Sequence, residues 1–91
     1  MTGTLINQAL AALSGVRLAA SHIGAAIEYV MRSGLADTTG LDDLAGNLRQ
    51  AAAMQLVEAA DGLIATAARL QLLARTLAPG LDEDRHDEEQ P

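Results

Sequence analysis

A seven-residue apolar repeat runs through the first third of the chain and constrains its fold more than any other feature. With position a of a heptad (positions a to g) set at Ile6, both a and d are apolar through four heptads. The a residues are Ile6, Leu13, Ala20 and Ile27, and the d residues are Ala9, Val16, Ile23 and Val30. A repeat sustained in this way is typical of a helix that packs along its whole length. Because positions e and g are mostly apolar too, we expect a helix over about residues 5–33 that is buried on more than one side.

A second helix is predicted over about residues 41–78. Ser33-Gly34 is expected to end the first helix, because glycine adopts the left-handed cap conformation without strain. The segment from Thr39 fits a capping box that would start the second helix. Pro79 is expected to end it. The short connection predicts that the two helices are antiparallel neighbours.

Two columns at seven-residue spacing run side by side along the second helix. One is made of leucines and the other of alanines: Leu56, Leu63, Leu70 and Leu77 beside Ala53, Ala60, Ala67 and Ala74. Small side chains aligned in a column let helix backbones approach closely. The segment from Ala20 to Gly24 has the small-xxx-small spacing of a similar contact. These columns predict close helix contact along one side of each helix.

A hairpin of two such helices would leave a long apolar strip in water, which indicates an interaction surface. We therefore predict an all-α fold: an antiparallel hairpin that associates into a four-helix bundle, with itself or with a similar helical protein as partner. The predicted interface residues are Ile6, Leu13, Val16, Ala20, Ile23, Ile27, Val30, Ala53, Leu56, Ala60, Leu63, Ala67, Leu70 and Leu77.

Charge is concentrated at the end of the chain. The 91 residues contain 12 carboxylates and 6 arginines and no lysine, and six of the carboxylates lie within residues 79–91 beside Arg85. This segment is expected to be a disordered acidic tail. The chain has no basic surface for nucleic acid or for anionic lipid. Because the first sixteen residues contain no charged side chain, we expect no signal peptide there. We expect a cytoplasmic protein without a membrane span, with leaderless secretion left open.

No residue pattern indicates a catalytic, cofactor or metal site. The chain has no cysteine, and neither His22 nor His86 lies in a metal-binding motif. His22 is predicted to lie on the surface or in an interface. Arg17, Arg49 and Arg69 could converge to bind a carboxylate or phosphate between helices. In size and helical class the chain resembles the all-helical chorismate mutases, but its arginines match no motif of theirs. The preferred alternative is that these arginines flank the helix contact and pair with Glu28, Glu58 or Asp61.

The general plan also resembles the ESAT-6-like hairpin proteins exported by type VII secretion. The likeness covers residues 5–91 and consists of chain length, helical hairpin, acidity and C-terminal tail. The W-x-G turn and the Y-x-x-x-[DE] export motif of that family are missing, so we infer no membership. If the likeness holds, it implies a leaderless secreted hairpin that pairs with a paralogue. The alanine-rich composition, with arginine but no lysine, is typical of a high-GC bacterial gene. Three functions follow, in order of preference: a non-enzymatic interaction module, the secreted hairpin, and a small helical enzyme.

Overall fold

The computed structural model describes residues 2–80 and shows two long helices. Helix α1 spans Thr2–Thr38 and helix α2 spans Asp42–Leu77, and the described residues contain no strand. The three residues between them reverse the chain, so that α1 and α2 pack against each other as a hairpin. The predicted all-α hairpin is therefore confirmed. The predicted disordered tail lies outside the described residues from residue 81 onwards.

Helix α1 continues beyond its predicted end. Ser33 and Ala36 are both buried against α2, and the Ser33 hydroxyl donates a hydrogen bond to the carbonyl oxygen of Val30 at 2.7 Å. Packing of this last turn outweighs the cost of Gly34 inside a helix, which is about 1 kcal/mol relative to alanine. The prediction that Ser33-Gly34 ends the helix is wrong.

The residue that ends α1 is Gly40, whose φ is 78°. Its N–H donates to the carbonyl oxygen of Asp37 at 3.1 Å, and the N–H of Leu41 donates to that of Ala36 at 2.9 Å. This pair of bonds is a Schellman motif, which satisfies the last carbonyl groups of a helix. The Thr39 hydroxyl also donates to carbonyl oxygens of α1, at Leu35 and Ala36. Thr39 thus belongs to the end of α1 rather than to the start of α2.

The start of α2 differs from the predicted capping box as well. Its N-cap residue is Leu41, which makes no side-chain capping hydrogen bond. Asp42 and Asp43 lie in the first turn, where their negative charge suits the positive end of the helix dipole. The helix ends at Leu77, two residues before Pro79, which cannot donate the next backbone hydrogen bond.

Small side chains hold the two helices together. The buried apolar residues are Ala12, Ala19, Ala26, Ala36, Ala45, Ala52, Ala59 and Leu73, joined by the polar residues Ser33 and Thr66. They follow a seven-residue spacing on each helix, and half-buried neighbours such as His22, Tyr29 and Gln55 flank them. We call this contact the alanine seam. On α1 it occupies heptad positions c and g, so the a and d positions do not hold the hairpin together.

Candidate interaction surface

The apolar strips of the two helices lie on the same face of the hairpin. Asp37 stands in the d column of α1, seven residues after Val30, and Arg49 stands in the leucine column of α2, seven residues before Leu56. The Arg49 Nη1 donates to the Asp37 Oδ2 at 2.6 Å across the seam. Because residues seven apart on a helix share a side, this contact fixes the two columns on one side of the seam.

Ile23 and Leu63 lie in these two columns, near the middle of each strip. They remain 38% and 41% accessible in the single chain, and Val16, Val30, Leu56 and Leu70 are exposed as well. The outer surfaces of both columns therefore have no cover in the hairpin.

We call the sixteen residues in these columns and the adjoining a columns the apolar face. They are Ile6, Ala9, Leu13, Val16, Ala20, Ile23, Ile27, Val30, Ala53, Leu56, Ala60, Leu63, Ala67, Leu70, Ala74 and Leu77. None is charged or polar, and all except Ala74 are exposed. All fourteen residues predicted as interface lie on this face, and none of them lies in the alanine seam.

The opposite face of the hairpin is mixed in character. It carries apolar side chains such as Leu18 and Met54 beside charged ones such as Glu28, Glu58 and Asp61. Shallow grooves open towards this side near each end of the hairpin. One of them, beside the start of α1 and the last turns of α2, has a volume of about 450 Å³ and is lined by Thr4, Asn7, Gln8, Ala11, Arg69 and Leu72. The apolar face is thus the more uniformly apolar of the two sides.

The three arginines considered for a binding pocket do not converge in the hairpin. Arg49 pairs with Asp37 near the connection, whereas Arg69 lines the groove at the other end. Twenty residues of helix separate them, which is about 30 Å. Arg17 is exposed at position e, on the side of α1 opposite the seam. The pairing predicted for these arginines, with Glu28, Glu58 or Asp61, is not the one that Arg49 makes.

One polar pair lies in the alanine seam. The His22 Nδ1 is 2.6 Å from the Gln55 Oε1 and both residues are partly buried. Because an amide oxygen only accepts, the Nδ1 atom carries the hydrogen. His22 therefore lies in the contact between the helices. Within residues 2–80, no three His, Asp or Glu side chains are grouped closely enough to hold a metal ion.

Helix α1 is long and apolar enough to cross a membrane. The segment Gly3–Thr38 contains a window with a mean hydropathy of 1.4, of which 17% is buried in the hairpin. Core helices of soluble proteins and signal sequences meet the same criterion. Arg17 and Glu28 interrupt this segment, leaving no more than ten consecutive uncharged residues between them.

Comparison with protein-family models, with curated proteins and with solved structures finds no match to this chain.

Proposed function

We propose that the protein is a non-enzymatic interaction module that associates with another helical protein through its apolar face. The observation that supports this proposal is the accumulation of sixteen apolar residues on one side of the hairpin, fifteen of them exposed. A contiguous apolar surface of this kind is rare on a protein that works alone. The proposed role is that of an adaptor, chaperone or regulator built on a helical bundle.

The size of the apolar face suits a stable interface. It extends over 25 residues of each helix, from Ile6 to Val30 and from Ala53 to Leu77, which is about 36 Å along the helix axis. Two helices with axes 8–10 Å apart form a layer about 19 Å wide. The face therefore measures about 700 Å² per partner, and two such faces bury about 1,400 Å², within the range of specific protein complexes.

Association would also add buried apolar area, of which the hairpin has little by itself. The residues buried in the seam are mostly alanines, and Leu73 is the one large apolar side chain among them. A small domain with so little buried apolar area is marginally stable. A second layer over the apolar face would bury Leu63 and its neighbours and make one common core.

The proposal is tested by charge substitution on each face. Leu63→Arg places a charge at the centre of the apolar face, while Met54→Arg makes the same kind of change on the exposed opposite side of α2. We expect light scattering to show a complex for the unaltered chain and for Met54→Arg. Leu63→Arg should give a single chain with reduced helicity by circular dichroism. If Leu63→Arg keeps both its mass and its helicity, the assignment of the face is wrong.

A flotation assay with lipid vesicles distinguishes a protein partner from a membrane. We expect the unaltered chain to stay in solution with neutral and with anionic vesicles, because Arg17 and Glu28 interrupt α1. If it floats with the vesicles and Leu63→Arg does not, the apolar face binds lipid and the proposal fails.

A further inference from the structure

We infer that the groove beside the start of α1 and the last turns of α2 binds a small molecule with one carboxylate and an apolar chain. We call it the Arg69 groove. Its volume of about 450 Å³ lies within the range of small-molecule sites. None of its lining residues belongs to the apolar face. The inference therefore goes beyond the proposed function and does not depend on it.

A second groove continues the Arg69 groove along the two helices. It has a volume of about 330 Å³ and is lined by Thr4, Leu5, Gln8, Leu72 and Thr76. Three of these residues line the Arg69 groove as well. Arg69 lines only the first groove and Thr76 only the second, and the seven residues of helix between them span about 10 Å. The two grooves together therefore form one elongated surface, with the guanidinium towards one end.

Apolar side chains lie between the two ends of this surface. Leu72 lines both grooves, with Ala11 beside it in the first and the half-buried Leu5 in the second. An alkyl chain laid along these side chains would lose contact with water, which favours its binding. This part of the surface thus suits the apolar end of a ligand of medium length.

Arg69 supplies the charge for the other end of the ligand. It is exposed, and no other charged side chain lines either groove. Within residues 2–80 its guanidinium makes no hydrogen bond or ion pair, whereas Arg32 and Arg49 each pair with a carboxylate of the hairpin. A guanidinium offers two parallel N–H groups that match the two oxygens of a carboxylate. Its donors are therefore available to a ligand.

The surroundings of Arg69 favour a ligand with a single negative charge. In the described part of α2, the carboxylate nearest to it in sequence is that of Asp61, about two helical turns earlier. On α1, the first acidic residue is Glu28. The amides of Asn7 and Gln8 line the Arg69 groove and add N–H donors without charge. One guanidinium balances one negative charge, which favours a carboxylate over a phosphate monoester with nearly two.

Titration with octanoate tests the inference when it is followed by the backbone amide shifts in nuclear magnetic resonance spectra. Octanoate is kept below the concentration at which it forms micelles. We expect saturable shifts around Ala11, Arg69 and Leu72, and none around Leu63 at the centre of the apolar face. Octanol has the same chain without the charge and should bind about threefold more weakly or less tightly still, because it forms no ion pair.

Arg69→Gln removes the charge, and Arg17→Gln is the matched control, because Arg17 is exposed on the side of α1 opposite the seam. Circular dichroism verifies that both variants keep the helicity of the unaltered chain. We expect Arg69→Gln to weaken octanoate binding by about threefold or more and Arg17→Gln to leave it unchanged. Leu72→Glu provides a second variant at a side chain that is 59% exposed. Its carboxylate would compete for Arg69 and should prevent octanoate binding.

Three results would overturn the inference. One is the absence of saturable shifts, or shifts that centre on Leu63 instead of the groove. Another is equal octanoate binding by the unaltered chain and by Arg69→Gln. The third is tighter binding of octyl phosphate than of octanoate, which would assign the groove to phosphate. The proposed function is tested separately by Leu63→Arg, because the groove and the apolar face share no residue.

Discussion

Asp37 and Arg49 form an ion pair across the two helices, at the end of the apolar face nearest the connection. The Arg49 Nη1 lies 2.6 Å from the Asp37 Oδ2. Each residue lies one heptad beyond the last apolar residue of its column, so that each column ends in a charged side chain. The pair therefore marks where the apolar face ends. It also shows that the columns of Ile23 and Leu63 lie on the same side of the hairpin.

Removing the ion pair should cost little stability. The side chains of Arg49 and Asp37 are 54% and 47% exposed, and exposed pairs contribute about 0.2–1 kcal/mol. We expect Arg49→Gln to lower the free energy of unfolding by less than about 1 kcal/mol. Urea unfolding at fixed protein concentration should show the difference shrinking at high salt, since salt screens exposed charges. A large loss in the free energy of unfolding that salt does not reduce would mean that Arg49 stabilises the protein through something other than this exposed ion pair.

Gly40 and Gly34 should respond in opposite ways to the same substitution. Gly40 has a φ of 78°, which a residue with a Cβ adopts at a cost of about 1–2 kcal/mol. Gly34 lies inside α1 with nothing within 4 Å of an added Cβ. We expect Gly40→Ala to lower the melting temperature and Gly34→Ala to raise it. The gain in the free energy of unfolding for Gly34→Ala should be about 0.5–1 kcal/mol. Equal effects would show that α1 ends elsewhere.

Gly15 marks the closest approach in the alanine seam. An added Cβ at Gly15 would overlap the Thr66 hydroxyl oxygen, while the Thr66 Cβ would be 3.6 Å away, an ordinary contact distance. Gly15→Ala should therefore destabilise the hairpin, with a cost of overpacking of about 1–3 kcal/mol. Adding Thr66→Ala should recover most of the loss, because it removes the overlapping atom. A double-mutant cycle from thermal unfolding measures this coupling, and purely additive effects would contradict the contact.

The hydrogen bond from His22 to Gln55 should contribute measurably to the seam. Gln55→Met keeps a similar shape but removes the acceptor for the Nδ1–H of His22, which predicts a loss of about 1 kcal/mol. Gln71→Met makes the same change at an exposed position of α2 and should have little effect. Chemical unfolding of the two variants compares them directly. Equal free energies of unfolding for the two variants would show that the hydrogen bond makes no net contribution to stability.

The sequence predicted the two helices and the apolar face, but it did not predict which face forms the hairpin. The capping box predicted from Thr39 and the helix end predicted at Pro79 placed α2 to within one residue of its observed bounds, although the capping box itself is not formed. The alanine seam could not be predicted, because alanine occupies several columns of each helix. Composition therefore does not show which column packs against the other helix. Residues at position c, His22 and Tyr29 among them, have polar atoms and fit a solvent-exposed position equally well.

The end of α1 could not be predicted from local signals. Gly34 and Gly40 both fit a C-terminal cap by residue type. The choice between them depends on the burial of Ser33 and Ala36 against α2, which is a tertiary contact. Local preference favours the first glycine, and packing selects the second. Association into a four-helix bundle stays a prediction, since it concerns contacts between chains.

The mass of the unaltered chain in solution tests the central proposal most directly. Sedimentation equilibrium over a range of concentrations, with helicity followed in parallel, measures association and folding together. We expect a species of twice the 9.4 kDa chain mass, with helicity that falls when dilution separates the copies, since folding and association are then linked. A fully helical species of 9.4 kDa at every concentration would show that the hairpin is stable with its apolar face uncovered, and would contradict the proposal.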